Sequence, residues 1–342
     1  MSIRREYDVP LASLSTFRMG VTAREVAVVE TEEDLQELFA ILPSDRKWFI
    51  LGGGSNVVFP DGDTDTLIIR IAIPGIRVLT QTEDDVTIAV GAGVSWDSVV
   101  SFAVDRGLAG IEALSWIPGT AGATPVQNVG AYGVEIKDVL VSLRAYDIQK
   151  GEYVVFRNTE CLFGYRESIF KNVGKGRYVI TEITLVLSTD GPNVPQYPGV
   201  AEYLAAHDIR AASLEDIRNA IITIRSKKLP DPSQIASVGS FFKNAFVPVE
   251  IAAKLKATYP TLAVFPVDGT LSKIGTGSLI DTLGWKGKRI GNLSLYAGNA
   301  MVVVNEGGAT RRELAEFISL IQIEVQKKYG IAIEPEPELL DF

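Results

Sequence analysis

The chain has 342 residues, of which 46% are apolar, and a formal net charge of −9 at pH 7. This length and apolar fraction allow a large core and predict two or three domains. The negative charge argues against a general nucleic-acid surface, because phosphate backbones are bound by basic faces. One cysteine, Cys161, and one histidine, His207, exclude an internal disulfide, and we expect no metal site.

The ends of the chain carry no sign of membrane targeting. The N-terminus, MSIRREYDVP, turns polar at once, and no apolar run approaches the length of a membrane-spanning helix. A single cysteine also fits a reducing compartment. We therefore expect a soluble cytoplasmic protein without a membrane partner.

The first third of the chain alternates strands and helices. The strand EVAVVE precedes a predicted helix, TEEDLQELFAIL, whose Thr31 and Asp34 have the spacing of a capping box. WFILGGGSNVVF and TLIIRIA then predict further strands. DVTIAVGAGVSWDSVVSFAVDRG predicts a strand and a helix that Ser95 caps and Gly107 closes. This alternation is typical of an α+β unit.

Two glycine-rich loops are the first candidates for a binding site. LGGGSNVVF lacks the third glycine of a dinucleotide-binding fingerprint, because Val57 stands at that position, and no Gly-Lys-Ser/Thr of a P-loop occurs. Its backbone N–H groups suit a pyrophosphate, although an ordinary turn has the same composition. Pro118 to Gly133 is a second aperiodic loop, and long loops of this kind are usually functional. Two such loops favour a bound cofactor, and FAD oxidoreductases use this arrangement.

The second half of the chain begins after a basic helix. SLEDIRNAIITIRSKK predicts a helix capped by Ser213, and the prolines of LPDP mark a domain boundary. Its end, IRSKK, is the densest basic stretch and is either a local anion-binding cluster or a solvated helix end. Four further elements follow: short helices near Val249 to Ala257 and Ser278 to Leu283, a strand at AMVVVNE, and a long helix from Thr310 to Tyr329 stopped by Gly330.

Seven motifs carry a family resemblance along nearly the whole chain. In order they are LGGGSNVVF, IPGTAGATPVQNVGAYG, FGYRESIF, KLPDP, GSFFKN, LIDTLGWKGKRIG and IEPE. Together they resemble the motifs of the UDP-N-acetylenolpyruvoylglucosamine reductase family, flavoenzymes that complete UDP-N-acetylmuramate for peptidoglycan. Any one motif would be a weak signal, but seven in the family order are specific.

The resemblance implies an α+β fold with a two-subdomain FAD-binding module of the vanillyl-alcohol-oxidase type and a C-terminal α+β substrate-binding domain. We predict the first FAD-binding subdomain at residues 1–75 and the second at 76–229. The substrate domain is predicted at 230–330, and a C-terminal segment, 331–342, returns to the active site. PQYPGVAEYL, near 195–205, matches the loop of the longer family type, whose tyrosine here is Tyr197.

The resemblance also implies the cofactors. NADPH gives hydride to FAD, which passes it to the enolpyruvyl ether. Neither glycine loop contains a histidine that would tether the flavin, so FAD is expected to be non-covalent. The residues of the two loops predicted to bind FAD are Gly52, Gly53, Gly54, Ser55, Asn56, Pro118, Gly119, Gly122, Ala123, Thr124, Asn128 and Gly130.

Three residues match the catalytic positions of the family: Arg166, Ser240 and Glu336. Hydride addition to the terminal enolpyruvyl carbon leaves a carbanion basic enough to take a proton from Ser240, so this serine needs no histidine. Arg166 would stabilise the enolate charge, and Glu336 would hydrogen-bond the substrate carboxylate. On the residues alone, Ser240 is equally a turn hydroxyl, Arg166 an ion-pair partner of Glu167, and Glu336 part of a solvated tail.

Five residues match or lie beside the substrate-binding positions: Tyr132, Tyr197, Arg225, Lys228 and Asn244. Lys228 would face the diphosphate and Asn244 the sugar nucleotide. Phe241 and Phe242 are interpreted as packing that fixes the direction of Ser240. The chain departs from the family after IEPE, where Pro337 and Glu338 replace the usual Val-Arg.

Two other functions remain open at this point. A sugar-alcohol oxidase of the same superfamily would also hold FAD, but GSFFKN and KLPDP argue against it. A non-catalytic nucleotide-sugar or flavin-binding module would bind ligand without turnover. For the reductase we expect a small-molecule substrate, UDP-N-acetylglucosamine enolpyruvate, and a monomer.

Overall fold

The computed structural model describes residues 3–342. Its chain forms two compact units. The first, unit 1, contains the residues up to Val9 together with Ala23–Gly54 and Thr64–Arg225. The second, unit 2, contains Pro10–Thr22, Ser55–Asp63 and Ser226–Phe342. Unit 2 thus takes two short segments from the stretch 1–75, which the sequence assigns to one subdomain; the predicted boundaries stay predictions.

A four-stranded sheet with the order β1-β2-β5-β3 forms the first part of unit 1. Its strands are β1 (Arg4–Pro10), β2 (Thr22–Val29), β3 (Trp48–Leu51) and β5 (Leu67–Ile71). Both β2 and β3 run parallel to β5, and α1 (Glu32–Ile41) connects β2 to β3. The predicted capping box is confirmed, because the Asp34 N–H donates to Thr31 Oγ1 at 3.0 Å and the Thr31 N–H donates to Asp34 Oδ2 at 2.9 Å.

A five-stranded antiparallel sheet with the order β11-β10-β12-β7-β6 forms the second part of unit 1. Its strands are β6 (Ile76–Gln81), β7 (Asp85–Gly91), β10 (Leu140–Asp147), β11 (Glu152–Arg157) and β12 (Tyr178–Ser188). The helix α2 (Trp96–Val104) follows β7 and packs its buried Trp96 and Val100 into the core of this sheet. The expected cap by Ser95 is not formed, since its side chain makes no capping bond.

Two helices and a hairpin complete unit 1. The hairpin consists of β8 (Gly130–Ala131) and β9 (Val134–Glu135). The stretch predicted as the tyrosine loop contains α3 (Pro198–Ala206), with Tyr197 at its N-cap. The helix α4 (Leu214–Lys228) follows, and its predicted cap is confirmed: the Asp216 N–H donates to Ser213 Oγ at 3.1 Å.

Unit 2 contains three small sheets. Their orders are β13-β19-β18-β17, β14-β16-β15 and β20-β4. The strands are β4 (Val57–Val58), β13 (Ala236–Ser240), β14 (Ala245–Pro248), β15 (Val264–Pro266), β16 (Leu271–Ile274), β17 (Arg289–Ile290), β18 (Leu293–Leu295), β19 (Val302–Asn305) and β20 (Glu338–Leu339). The C-terminal segment thus lies along the segment that follows the first glycine loop, because β20 pairs in parallel with β4.

Three helices cover these sheets: α5 (Val249–Thr258), α6 (Thr276–Thr282) and α7 (Arg311–Tyr329). The prediction for α7 is confirmed, because the Thr310 side chain accepts from the Glu313 N–H and Gly330 ends the helix with φ of 71°. Short 3-10 turns occur at Leu11–Ser13, Glu112–Leu114, Ala121–Ala123, Ile136–Asp138 and Asn158–Cys161. Between residues 3 and 342, no helix is long and apolar enough to cross a membrane.

Candidate active site

The two glycine-rich loops of unit 1 approach each other closely at Gly52 and Gly53. A Cβ added to Gly53 would lie 2.7 Å from Gly119 Cα, and one added to Gly52 would lie 2.7 Å from Thr120 Oγ1. Real Cβ atoms do not approach other heavy atoms so closely, so no larger residue fits here without movement. Glycine is therefore required for this close approach of backbones. The sequence prediction that these loops act together is supported by their contact.

The second loop is also fixed to the strands and helix beside it. The Gly122 N–H donates to the Ala92 carbonyl at 2.9 Å, and the Trp96 N–H, at the start of α2, donates to the Gly119 carbonyl at 3.0 Å. Thr124 is buried and its hydroxyl donates to the Ala121 carbonyl at 2.7 Å. These bonds hold the loop backbone in one conformation.

Two apposed glycine turns fit the pyrophosphate of FAD. Within residues 3–342, the N–H groups of Gly53 and Gly54 donate to no other group of the chain. Successive N–H donors without side chains around them form a nest for an anion. The structure thus offers the kind of backbone donors that the cofactor needs. Ser55 and Asn56, predicted to continue this loop, belong to unit 2.

The turn that carries Arg166 is tied to the second glycine loop. Arg166 Nη2 donates to the Gly130 carbonyl at 2.9 Å, and Asn128 Nδ2 donates to the Gly164 carbonyl at 3.0 Å. Asn128 also donates to Glu135 at 2.9 Å, so its buried amide is engaged by the protein. Its side chain therefore fastens the Arg166 turn to the loop, and direct binding of FAD by Asn128 stays a prediction.

Four residues in this region have left-handed backbone although none is glycine. They are Trp116, Asn128, Tyr132 and Arg166, with φ of 58°, 47°, 54° and 57°. Each such conformation costs about 1–3 kcal/mol and persists only where the surroundings enforce it, most often at functional sites. Arg166 reaches the Gly130 carbonyl and Glu167 accepts from Asn172, and the alternative expectation for Arg166, an ion pair with Glu167, stays a prediction.

Tyr132, Tyr197 and Arg225 come together, as the prediction of a shared substrate role requires. The Tyr132 and Tyr197 rings meet edge to face at 5.0 Å, and Arg225 hydrogen-bonds the Tyr132 side chain. Burial raises the pKa of Tyr132, while the Arg225 guanidinium opposes this rise. Burial also lowers the pKa of Arg225. Both rings lie against the apolar cluster between α3 and α4.

Ser240 ends β13 at an irregular place in the sheet of unit 2. The pairing of β13 with β19 slips between Ser237 and Ser240, where Gly239 has φ of 72°. Such bulges re-aim the side chain that follows. The next residue, Phe241, donates its N–H to the Met301 carbonyl at 2.7 Å and is completely buried, as is Phe242. Both phenylalanines are thus packing residues, and the prediction that they fix the direction of Ser240 stays a prediction.

Glu336 pairs with Phe241, the residue that follows Ser240. Its N–H donates to the Phe241 carbonyl at 2.8 Å, and the Lys243 N–H donates to the Glu334 carbonyl at 2.9 Å. Pro335 and Pro337 flank Glu336 and have no N–H group. They stand at positions where the strand makes no backbone hydrogen bond through its N–H, so the prolines do not interrupt the pairing. The segment is therefore a stiff extended strand that presents Glu336.

The departure from the family pattern at Pro337 and Glu338 lies in the same strand. The Glu338 N–H donates to the Asn56 carbonyl at 2.9 Å, and the Leu340 N–H donates to the Val58 carbonyl at 2.9 Å. Pro337 is buried. The C-terminal strand thus joins the segment after the first glycine loop to the segment that follows Ser240.

The two remaining predicted substrate residues have different surroundings. Asn244, just before β14, contacts the first residue of α6, because its Oδ1 accepts from the Thr276 N–H at 3.2 Å. Lys228 is exposed at the last position of α4. Lysine at a helix C-terminus is also favoured by the helix dipole, so its role as a phosphate ligand depends on the function proposed below.

Sequence reasoning missed one polar pair beside this region, Asp97 with Arg218. Two Arg218 nitrogens donate to the two Asp97 oxygens at 2.8 Å each. Asp97 is an acid in the first turn of a helix, and its partner lies far away in the chain. That position is common in helices and carries no sign of a partner, so no local pattern identifies the pair.

Comparison with known proteins supplies the family. A model described as "FAD binding domain" matches residues 23–157, and one described as "UDP-N-acetylenolpyruvoylglucosamine reductase, C-terminal domain" matches residues 231–340. A UDP-N-acetylenolpyruvoylglucosamine reductase of Ralstonia nicotianae is 42% identical, over 97% of this chain and 98% of its own length. One from Pseudomonas aeruginosa is 40% identical, over 99% and 100% of the two chains.

A solved structure has the same fold. The crystal structure of UDP-N-acetylenolpyruvylglucosamine reductase from Thermus caldophilus superposes with a TM-score of 0.67, at 23% identity, with both chains covered completely. The fold and the glycine loops thus define an FAD-dependent oxidoreductase. This chain belongs to the UDP-N-acetylenolpyruvoylglucosamine reductase family. The predicted family, fold class, enzyme class and FAD cofactor are confirmed, and the roles of individual site residues stay predictions.

Proposed function

We propose that this chain reduces UDP-N-acetylglucosamine enolpyruvate to UDP-N-acetylmuramate, a step in making peptidoglycan precursors, with NADPH as the hydride donor. The single observation that supports the mechanism is the hydrogen bond from the Glu336 N–H to the carbonyl of Phe241, the residue after Ser240, in a chain that matches a family member over almost its full length. FAD held by the two glycine loops would supply the hydride for the terminal carbon of the enolpyruvyl group, with NADPH as the source of that hydride.

Ser240 donates the proton that completes the reduction. Hydride addition leaves negative charge on the carbon beside the carboxylate, and such a carbanion is basic enough to take the proton of an aimed hydroxyl. The bulge at Gly239 and the two buried phenylalanines after Ser240 support this aim. Proton transfer from a positioned group of this kind contributes about 10²–10⁴-fold to a rate.

Arg166 stabilises the enolate-like charge. A guanidinium presents a planar fork of N–H donors that matches two negative oxygens, and preorganised charge is often the largest catalytic contribution. Its strained backbone and its bond to the Gly130 carbonyl support a fixed position. Glu336, as a neutral carboxyl group on its extended strand, donates a hydrogen bond to the substrate carboxylate.

The substrate's nucleotide portion is held by five residues: Tyr132, Tyr197, Arg225, Lys228 and Asn244. Lys228 provides positive charge for the diphosphate, which an acidic protein must supply locally. Arg225 lies partly buried against Tyr132, and Tyr197 covers that ring. We further propose that the protein works in the cytoplasm as a monomer, without a nucleic-acid or membrane partner.

Isotope labelling tests this function. The protein is supplied with NADPH deuterated at its transferable position and with the enolpyruvyl UDP-sugar in ordinary water, and the product is examined by NMR. The proposal requires NADPH consumption, a new methyl group and a solvent-derived proton on the carbon beside the carboxylate; deuterium reaches the methyl group to the extent that the N–H of the reduced flavin does not exchange with water. Oxygen-dependent oxidation of a sugar alcohol, or ligand binding without NADPH consumption, would show one of the two other functions instead.

A further inference from the structure

We propose that the ion pair between Asp97 and Arg218 is a positioning device that aligns Arg225 and Tyr132 for the UDP-sugar. This inference rests on the proposed substrate roles of Arg225 and Tyr132. All four side chains belong to unit 1, and neither Asp97 nor Arg218 is among the residues that the family motifs carry.

Asp97 joins two separate parts of the chain. Its Oδ1 accepts the Trp116 N–H at 2.6 Å, and its carboxylate accepts two bonds from Arg218 at 2.8 Å. Only 16% of the Arg218 side chain and 33% of the Asp97 side chain are exposed, so water screens this pair less than a surface pair. Burial would raise the pKa of Asp97, but the bonds from Arg218 and Trp116 hold it below its usual range.

Trp116 connects Asp97 to Arg225 through two hydrogen bonds of its backbone. Its left-handed backbone, with φ of 58°, directs its N–H to Asp97, while its carbonyl accepts from Arg225 Nε at 3.3 Å. A non-glycine residue leaves this conformation unless its surroundings enforce it. The hydrogen bond to Asp97, which lies on α2, holds Trp116 in this conformation.

The helix α4 is thereby fixed at two points along one face. Arg218 and Arg225 are seven residues apart, which is about two helical turns. Arg218 donates hydrogen bonds to Asp97. Arg225 donates to the Trp116 carbonyl and also hydrogen-bonds the Tyr132 side chain. The negative charge of Asp97 also favours the charged form of the buried Arg225. Loss of the pair would leave Asp97, and with it Trp116, less firmly held and shift the end of α4 that carries Arg225.

The test compares two Asp–Arg pairs of the same chemistry in unit 1. The variants Asp97→Asn and Arg218→Lys each keep a polar side chain, whereas Arg218→Lys loses the two-pronged geometry. The matched controls are Asp147→Asn and Arg177→Lys, which alter a second bidentate pair at the far end of β10. For all variants, KM and kcat with the enolpyruvyl UDP-sugar are measured, together with its dissociation constant by calorimetry without NADPH.

We expect both Asp97→Asn and Arg218→Lys to raise KM and the dissociation constant about tenfold, which corresponds to ~1.4 kcal/mol of binding. The kcat and the flavin content stay at the wild-type values, whereas a merely loosened fold would lower both. Asp97→Ala raises KM further, because it also removes the acceptor of the Trp116 N–H; if that variant does not fold, the two conservative variants decide the matter.

Two results overturn the inference while the proposed function stands. In the first, the wild-type enzyme reduces the enolpyruvyl sugar, and Asp97→Asn and Arg218→Lys have the same KM and dissociation constant as the wild type. The other is an equal rise of KM in the Asp147 and Arg177 controls, which would assign the effect to general destabilisation. A wild-type protein that does not turn over this sugar would instead contradict the proposed function.

Discussion

The N–H of Glu336 donates a hydrogen bond to the carbonyl oxygen of Phe241 at 2.8 Å. Because Phe241 directly follows Ser240, this bond ties the backbone of Glu336 to the residue after the proposed proton donor. Phe241 is also held from its other side by the Met301 carbonyl. The order of the two residues in the chain does not reveal this neighbourhood, and the fold creates it.

Replacement of Ser240 by alanine separates the two halves of the reaction. Ser240→Ala should leave flavin reduction by NADPH intact and slow flavin reoxidation by the enolpyruvyl sugar by about 10²–10⁴-fold, because only the second half needs the proton. Stopped-flow absorbance measures both rates. Ser237→Ala, on the same strand, is the matched control and should keep both rates. Equal losses in the two halves would refute the proton-donor role.

The contact between the glycine loops predicts a loss of flavin in Gly53→Ala. The added methyl group would lie 2.7 Å from Gly119 Cα and push the loops apart. We expect purified Gly53→Ala to contain less FAD than the wild type, as measured by the ratio of flavin to protein absorbance. Gly269→Ala is the control, because its Cβ meets nothing within 4 Å. Unchanged FAD content in Gly53→Ala would contradict a cofactor role of this contact.

The exposed end of α4 predicts a selective loss of substrate affinity. Lys228→Ala should weaken binding of the enolpyruvyl UDP-sugar by about 10–100-fold, because a hydrogen bond to a charged group contributes about 1.5–3 kcal/mol. Flavin content should not change. Calorimetry gives the affinity, and Lys227→Ala is the neighbouring control. A loss of flavin from Lys228→Ala, or equal affinity losses in both variants, would exclude the assigned role.

The pair of Asp147 with Arg177 predicts a pH-dependent contribution to stability. Hydrogen bonds from Arg177 hold the pKa of Asp147 below its usual range, at distances of 2.7–3.1 Å. The contribution is therefore complete above the unfolded pKa of about 3.9 and disappears as the pH falls through the lower folded pKa. Thermal unfolding should give Asp147→Asn a lower Tm than the wild type at neutral pH. A difference that persists or grows in acid would contradict this linkage.

The sequence predicted the elements whose signals are local. The capping boxes at Thr31 and Thr310 and the cap at Ser213 lie within one helical turn of their partners, and each is formed. Ser95 has the same local pattern, but its side chain makes no capping bond. There the neighbouring Trp96 N–H is used to hold the Gly119 carbonyl instead.

The remaining features depend on residues that are distant in the chain. The hydrogen bond from the Glu338 N–H to the Asn56 carbonyl joins segments that are far apart in the chain, and a local pattern contains no record of it. The Asp97–Arg218 pair depends on how α4 lies against α2. For the same reason, family motifs found Arg166, Ser240 and Glu336 as separate residues, whereas the contact of Glu336 with Phe241 required the fold.

The central claim is that FAD on this chain passes hydride from NADPH to the enolpyruvyl sugar. Visible absorbance of the purified protein without oxygen tests it most directly, with NADPH added first and UDP-N-acetylglucosamine enolpyruvate second. The account predicts that NADPH bleaches the flavin and that the sugar restores its yellow colour. A bleached flavin that recovers only when oxygen is admitted, or a protein that takes up no FAD, would contradict the account.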